Sequence, residues 1–367
     1  MTTDSPASTA AVVPPPAPAP VPIPMASPAS APAATAAGPP LRIAIVTPAP
    51  PGSRKGNRVT ARRWAGILRG VGHRVAVVQE YGGEPCDVLV ALHASKSHDS
   101  IARFRRDHPD RPRVVALTGT DLYGDIRTDR RAQQSLEWAP RLIALQPMAV
   151  DELPPPLRAK VRVIYQSCVA PPGHGQGQVA PKRAVFEVGV IGHLRAVKDP
   201  FRTAQAARLL PPSSRIRVLH LGGILDPEMA QQARDEMAAN PRYRWLGDLP
   251  RWRTLRILAR CRLLALTSVL EGGANVVTEA IACGVPVIAS RIPGSLGLLG
   301  TDYPGYFPTG DTAALAALLR RAETDGAFYA GLKARCDQLR WLADPAEERR
   351  RWAALLHELA LVREQAA

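Results

Sequence analysis

The stretch from residue 263 to residue 290 constrains the fold most, because it predicts a complete strand-loop-helix-strand unit. Residues 263–266 form an apolar run that is typical of a buried strand. A Gly-Gly loop follows, then a helix over residues 275–283 that ends at Gly284, and a second buried strand over 286–289. Apolar strands joined through a helix are typical of a parallel sheet, so the sequence predicts an α/β fold.

The loop of this unit predicts a site for an anion and for hydroxyl groups. Its backbone amides lie at a helix N-terminus, where the helix dipole favours negative charge. Glu271 and Glu279 flank the loop, and a carboxylate can accept two hydrogen bonds from vicinal hydroxyls. Together these groups predict a nucleotide-sugar pocket, against the alternative of a capped turn with two solvated glutamates. The amides concerned are those of Gly273, Ala274, Asn275 and Val276.

Composition bounds the rest of the chain. The 367 residues suffice for two domains. Residues 1–40 are almost entirely Ala, Pro, Ser, Thr and Val, and this composition predicts a disordered tail without a signal peptide. No apolar run approaches the roughly 18 residues of a membrane span, so we expect a cytoplasmic protein without stable membrane insertion. Five scattered cysteines without a Cys-x-x-Cys pair predict reduced thiols and no metal site.

The net charge of +15 allows two interpretations. One is a surface for nucleic acid or an anionic membrane, and the other is a pocket for polyanionic small molecules. The chain has no recognisable nucleic-acid motif and no aromatic residues interleaved with its arginines. We therefore expect small-molecule substrates and no nucleic-acid partner.

The N-terminal part, residues 41–168, opens with a β-α-β pattern: a strand over 41–47, a helix over 57–69 and a strand over 74–79. The loop before the helix combines cations with glycines, which suits a phosphate-like anion, although a basic solvated turn is the alternative. Its candidate residues are Gly52, Arg54, Lys55, Gly56, Asn57 and Arg58.

Two further strands of this part, residues 87–92 and 113–117, end in polar residues. Ligands of open parallel sheets bind beyond the carboxyl ends of the strands, so these side chains should line one cleft. They are His93, Lys96, Thr118, Thr120 and Asp121.

A second α/β unit follows a linker over residues 169–183 and spans residues 184–340. Its first strand, 186–192, is followed by Arg195 and Lys198, which should lie at the edge of the same cleft. Residues 290–300 predict a Gly/Pro loop, and residues 341–367 a C-terminal helix.

The motif Glu271-Gly-Gly-Ala-Asn-Val-Val-Thr-Glu279-Ala-Ile-Ala-Cys-Gly-Val-Pro-Val resembles the donor-site signature of family 4 glycosyltransferases. The resemblance implies the GT-B fold, in which two Rossmann-like doubly wound domains face a central cleft and the last helix crosses back to the N-terminal domain. It implies that Glu279 binds ribose, that Glu271 contacts the donor sugar and that the loop amides hold the diphosphate. Arg195 and Lys198 match the basic pair that neutralises this diphosphate.

Residues 46–60, 117–123, 192–200 and 271–280 also resemble the selenosugar synthases of selenoneine biosynthesis, a group similar to family 4. This resemblance implies transfer from a UDP-sugar, usually UDP-N-acetylglucosamine, to selenophosphate, with no cofactor and no metal. Many family 4 members have histidine where this chain has Thr118, a departure compatible with an acceptor that is already an anion. The implied catalytic residues are His93, Asp121, Arg195, Lys198 and Glu271.

Three alternatives stay open. One is an ordinary hexosyltransferase with a hydroxyl acceptor, such as a lipid or an oligosaccharide. The second is a non-catalytic nucleic-acid-binding protein, and the third is a nucleotide-sugar epimerase on the same fold.

Overall fold

Two six-stranded parallel sheets organise the protein, in a computed structural model that describes residues 39–173 and 185–366. Every strand pairing within them is parallel. The α/β class predicted from the sequence is thereby confirmed. The predicted tail, apart from residues 39 and 40, lies outside the described residues, as does most of the predicted linker.

The first sheet has the strand order β2-β1-β3-β4-β5-β6. Its central strand β3 is buried at all five positions, because helices cover both faces. The strands are β1 Arg42–Val46, β2 Arg74–Val78, β3 Val88–Leu92, β4 Arg113–Ala116, β5 Arg141–Ala144 and β6 Val161–Val163. The helices are α1 Gly56–Gly70, α2 His98–Asp107, α3 Ile126–Thr128, α4 Arg130–Trp138 and α5 Pro155–Arg158.

The second sheet has the order β12-β11-β10-β7-β8-β9. Its central strand β10 is apolar and fully buried, as the sequence predicts. The strands are β7 Phe186–Ile191, β8 Ile216–Leu221, β9 Tyr243–Trp245, β10 Leu263–Leu266, β11 Val287–Ser290 and β12 Tyr306–Phe307. The helices are α6 Arg202–Arg208, α7 Pro227–Ala239, α8 Arg251–Leu258, α9 Asn275–Cys283, α10 Pro293–Leu299, α11 Thr312–Thr324 and α12 Gly326–Gln338.

The last helix, α13 Pro345–Ala366, follows the second sheet in sequence but packs on the first. Its buried side chains Trp352, Leu355, Leu356 and Leu359 belong to the core that covers β1 and β3. Trp352 meets Trp64 of α1 edge-to-face, with ring centroids 5.1 Å apart. The helix thus joins the two domains.

The Gly/Pro loop predicted over residues 290–300 is wrong, since the structure has helix α10 at Pro293–Leu299. Proline is well suited to a first helical position, where its missing N–H costs nothing. Gly294 and Gly297 serve close packing instead of a turn. A Cβ on Gly294 would lie 2.1 Å from the Glu271 carbonyl oxygen, and one on Gly297 would lie 1.8 Å from Gln146 Oε1.

Candidate active site

A cavity of about 1130 Å³ lies between the two domains, beyond the carboxyl ends of their strands. Both domains line it, which is the arrangement that the sequence predicts. The predicted site residues that it brings together are Gly52, Arg54, Lys55, Gly56, Asn57, His93, Thr118, Thr120, Arg195, Lys198, Glu271, Gly273, Ala274, Asn275, Val276 and Glu279.

Helix α9 points its N-terminus at this cavity. Its N-cap Ala274 offers no capping side chain, and the amides of Ala274, Asn275 and Val276 donate to no acceptor among the described residues. The helix ends at Gly284, whose left-handed φ of 71° favours glycine. A row of free amides at a helix N-terminus can bind a phosphate.

The two domains touch backbone to backbone beside these amides. A Cβ on Gly272 would lie 2.6 Å from the Thr118 carbonyl oxygen, and Gly119, at φ 141°, faces Gly272 in return. The approach requires glycine on both sides. It brings the turn after β4 against the loop after β10, so both domains shape the same wall.

Glu271 is held by a cation and a hydroxyl. Lys198 Nζ donates to Glu271 Oε1 at 2.5 Å, and Ser268 Oγ donates to the same oxygen at 2.6 Å. The Oε2 atom receives no hydrogen bond from the described residues and stays open to the cavity. A carboxylate oriented in this way can accept from a sugar hydroxyl.

Glu279, like Glu271, has one carboxylate oxygen bound by a cation, which here is Arg251. Arg251 Nε donates to Glu279 Oε1 at 3.1 Å, and Arg251 Nη2 lies 2.9 Å from the same oxygen as an ion pair. Arg251 Nη2 also lies 3.4 Å from the Cys168 thiol, whose pKa is raised to about 11 by burial and by Glu279. The thiol therefore stays protonated. No group of the described residues donates to Glu279 Oε2, which leaves this oxygen available to a ligand.

The cavity wall carries more cations than carboxylates. Eight Lys and Arg residues line it, against three carboxylates that are each ion-paired: Asp248 with Arg54, Glu271 with Lys198 and Glu279 with Arg251. Arg63 pairs with Glu348 instead. Within the described residues, four of the cations have no carboxylate within 4 Å, and they are Lys55, Arg62, Lys96 and Arg195.

Arg54 bridges the domains. Its Nη1 contacts Asp248 Oδ2 at 2.9 Å and the Asp248 carbonyl oxygen at 3.1 Å. Its own carbonyl oxygen accepts from His193 Nε2 at 3.4 Å. The predicted anion-binding loop therefore touches the second domain through Arg54.

His193 is neutral in this arrangement. Its Nδ1 accepts from the Gly223 amide at 2.9 Å, which leaves the ring proton on Nε2. Burial lowers the pKa of this histidine. His220 lies behind His193, and its ring is hydrogen-bonded to the Tyr243 hydroxyl and to the Gly192 carbonyl. Burial lowers the pKa of His220 to about 4.

His93 lines the cavity with its ring almost fully enclosed. The residue is 2% exposed and has a left-handed φ of 77°, which is uncommon outside glycine. Nε2 lies 3.0 Å from Thr120 Oγ1, and Nδ1 accepts from the Lys96 amide at 3.4 Å. Burial lowers its pKa, so the ring is neutral and hydrogen-bonded at both nitrogens.

Two predicted site residues do not line the cavity. Asp121 is fully buried, and its carboxylate accepts from the amides of Ala94, Thr118 and Gly119 at 2.8 to 3.0 Å. It therefore shapes the turns after β3 and β4 instead of facing a substrate. Arg58 lies in the first turn of α1, outside the cavity wall, and its Nε and Nη1 are buried without a partner among the described residues.

Several residues of this wall are not among the predicted site residues. Asp248 and Arg251 lie three and six residues beyond the end of β9, and strand-end position could have indicated both. His193 is one residue beyond the Gly192 that ends the predicted strand. No local sequence pattern marks Arg62, Arg63 or Gln166 as site residues, because only tertiary packing brings α1 and residue 166 to the cavity.

The described residues contain no group of three or more His, Cys, Asp and Glu side chains that could hold a metal ion. In the same part of the chain, no helix combines the length and the apolar composition needed to cross a bilayer.

Residues 179–338 match the family model of glycosyl transferases group 1. The D-inositol 3-phosphate glycosyltransferase of Mycobacterium marinum is 29% identical over 143 residues, which are 36% of this chain and 30% of that protein. The enzyme of that name from Corynebacterium urealyticum is 31% identical over 115 residues, which are 29% of this chain and 27% of that protein. The chain thus spans about a third or less of these curated relatives.

Solved structures are similar over almost the whole chain. Anabaena HepE, crystallised with UDP and glucose, has a TM-score of 0.67 at 16% identity and covers 87% of this chain and 100% of its own. Sucrose-phosphate synthase from Thermosynechococcus elongatus has a TM-score of 0.66 at 15% identity, and it covers 89% of this chain and 100% of its own. At these identities the similarity establishes the fold. The protein has a GT-B-like fold, and the part of it that matches the group 1 glycosyl transferase model is residues 179–338.

Proposed function

We propose that this protein transfers a sugar from a UDP-sugar to an anionic acceptor, and that this acceptor is selenophosphate. One observation carries the proposal: unpaired cations line the cleft on both of its sides. Arg195 lies on the second domain, which also supplies the free amides of α9, whereas Lys55, Arg62 and Lys96 lie on the first. Positive charge on both sides of the cleft suits two anionic substrates.

The donor binds against the second domain in this proposal. The diphosphate accepts from the α9 amides and pairs with Arg195 and Lys198. Glu279 accepts from the ribose hydroxyls, and Glu271 accepts from the sugar. UDP and glucose were crystallised with HepE, and this supports a UDP-sugar as the donor. N-acetylglucosamine is the sugar that the resemblance to selenosugar synthases favours.

The acceptor binds against the first domain, where Lys55, Arg62 and Lys96 attract its phosphate group. Its selenium attacks the anomeric carbon of the donor sugar. The C–Se bond forms as the bond from that carbon to the β-phosphate oxygen breaks, and the electron pair leaves with UDP. Water then cleaves the Se–P bond, which releases phosphate and leaves the selenosugar.

Catalysis in this scheme is mainly electrostatic. Arg195, Lys198 and the α9 amides stabilise the negative charge that develops on UDP. Selenophosphate is already ionised, so its attack needs no general base. This agrees with the His93 ring, whose two nitrogens are both hydrogen-bonded within the protein, and with the engaged carboxylate of Asp121.

The test is UDP release from UDP-N-acetylglucosamine under anaerobic conditions, with selenophosphate, orthophosphate, an inositol phosphate or no acceptor. We expect selenophosphate to raise UDP release and mass spectrometry to find the selenium isotope pattern on the sugar. A second candidate, transfer to a hydroxyl of a phosphorylated alcohol, is favoured by the names of the curated relatives. UDP release with the inositol phosphate alone would establish it and exclude selenophosphate.

A further inference from the structure

The carbonyl oxygen of Gly273, in the loop before α9, is held by Gln166. The Gln166 Nε2 atom donates to it at 2.6 Å. Gln166 is 3% exposed, and its Oε1 accepts from Thr60 Oγ1 at 2.5 Å and from Arg63 Nη2 at 2.8 Å. Because an arginine can only donate, the Gln166 oxygen must face Arg63, and its NH₂ group must face Gly273.

Gln166 is fixed from the side of the first domain. Arg63 places Nε 3.2 Å from both carboxylate oxygens of Glu348 and Nη1 2.9 Å from Asn275 Oδ1. Glu348, which is 1% exposed, also accepts from Trp64 Nε1 at 2.8 Å. This buried network joins α1, α13 and residue 166 to the donor loop.

The bond to Gln166 decides where the next amide points. The described residues contain no cis peptide, and the C=O and N–H of a trans peptide point in opposite directions. With its carbonyl held by Gln166, the Gly273–Ala274 peptide therefore directs the Ala274 N–H away from Gln166. That N–H has no acceptor among the described residues, and Ala274 lines the cavity. Glycine at 273 would let an unheld peptide turn over.

We propose that Gln166 is a positioning residue that keeps the Ala274 amide directed at the diphosphate of the donor. The inference rests on the proposed function, because it names a diphosphate as the ligand of these amides. If the peptide turned over, a carbonyl oxygen would face the diphosphate and repel it. Gln166 acts through the loop, by its hydrogen bond to the Gly273 carbonyl oxygen.

The test compares UDP with uridine, which lacks the diphosphate, by calorimetric titration of the wild-type protein and Gln166→Glu. Glutamate keeps an acceptor for Thr60 and Arg63 but puts a second acceptor against the Gly273 carbonyl. We expect UDP to bind about tenfold more weakly and uridine to bind within about twofold of the wild type. Gln166→Met, of similar length and uncharged, repeats the test if the glutamate variant does not fold.

Ala274→Pro removes the same N–H by another route, and the Ala274 φ of −67° suits proline. We expect the same selective loss of UDP affinity, and no further loss when it is combined with Gln166→Glu. Equal weakening of UDP and uridine, additive losses in the double variant, or unchanged UDP affinity in Gln166→Glu would overturn the inference. A wild-type protein that binds no UDP would overturn the proposed function, and the inference with it.

Discussion

Arg251 and Glu279 meet at a single carboxylate oxygen. Arg251 Nε donates to Glu279 Oε1, Nη2 lies 2.9 Å from the same oxygen, and no group of the described residues donates to Oε2. Glu271 repeats the pattern, with Oε1 taken by Lys198 and Ser268. Each glutamate thus has one oxygen fixed by the protein and one available to a substrate hydroxyl, which leads to the first prediction.

Glu279→Gln should weaken uridine binding about tenfold, because a hydrogen bond to a charged acceptor contributes about 1.5 kcal/mol. The loss should appear for uridine and for UDP alike, since both carry the ribose. Titration calorimetry measures it, with Glu228→Gln, an exposed change on α7, as the control. Unchanged uridine affinity in Glu279→Gln would remove Glu279 from the ribose site.

Lys96→Gln and Arg62→Gln should each raise the KM for selenophosphate about tenfold, since each removes an unpaired cation from the acceptor side. The KM for the UDP-sugar should stay within about twofold. Steady-state UDP release measures both constants, and Arg106→Gln, an exposed change on α2, is the control. Equal changes in both KM values would contradict separate donor and acceptor sides.

Arg54→Gln should raise UDP release in the absence of any acceptor several-fold, because it breaks a contact that closes the cleft against water. The melting temperature should hardly change, since an exposed ion pair contributes only about 0–1 kcal/mol. Asp248→Asn keeps the carbonyl bond to Arg54, so its increase should be smaller. A larger effect from Asp248→Asn than from Arg54→Gln would contradict this account.

His220 should make the protein less stable in acid. Burial lowers its pKa from 6.5 to about 4, so the unfolded chain binds a proton before the folded one does. The contribution of about 3 kcal/mol is complete above pH 6.5 and is lost as the pH falls towards 4. Urea unfolding of the wild type and His220→Gln between pH 7 and pH 4 measures it. An unchanged pH dependence in the variant would show that His220 does not cause the loss.

The fold was predictable where the sequence features that indicate an element lie within that element and its flanking residues. The apolar run of β10, the helical pattern of α9 and the stop at Gly284 are local features, and the structure has each of them. The helix α10 was missed because Gly294 and Gly297, which indicate a loop in the sequence, pack against another segment. A single sequence does not distinguish a glycine needed for a turn from one needed for close packing.

The candidate site was predictable to the extent that its residues follow strands. Lys198, Glu271 and the amides of α9 do, and they line the cavity. Asp121 follows a strand too, but its carboxylate turns inward to bind three backbone amides. Gln166 and Arg63 reach the donor loop only through contacts between segments more than 100 residues apart, which no local pattern encodes.

The most direct test of the central claim, that the cleft holds the diphosphate of a nucleotide-sugar, is a calorimetric titration of the wild-type protein with UDP, UMP and uridine. We predict one UDP per chain, with affinity that falls from UDP to UMP to uridine as charge facing Arg195, Lys198 and the α9 amides is removed. It also predicts weaker UDP binding at higher salt. Equal affinity for the three ligands, or no binding of UDP, would contradict it.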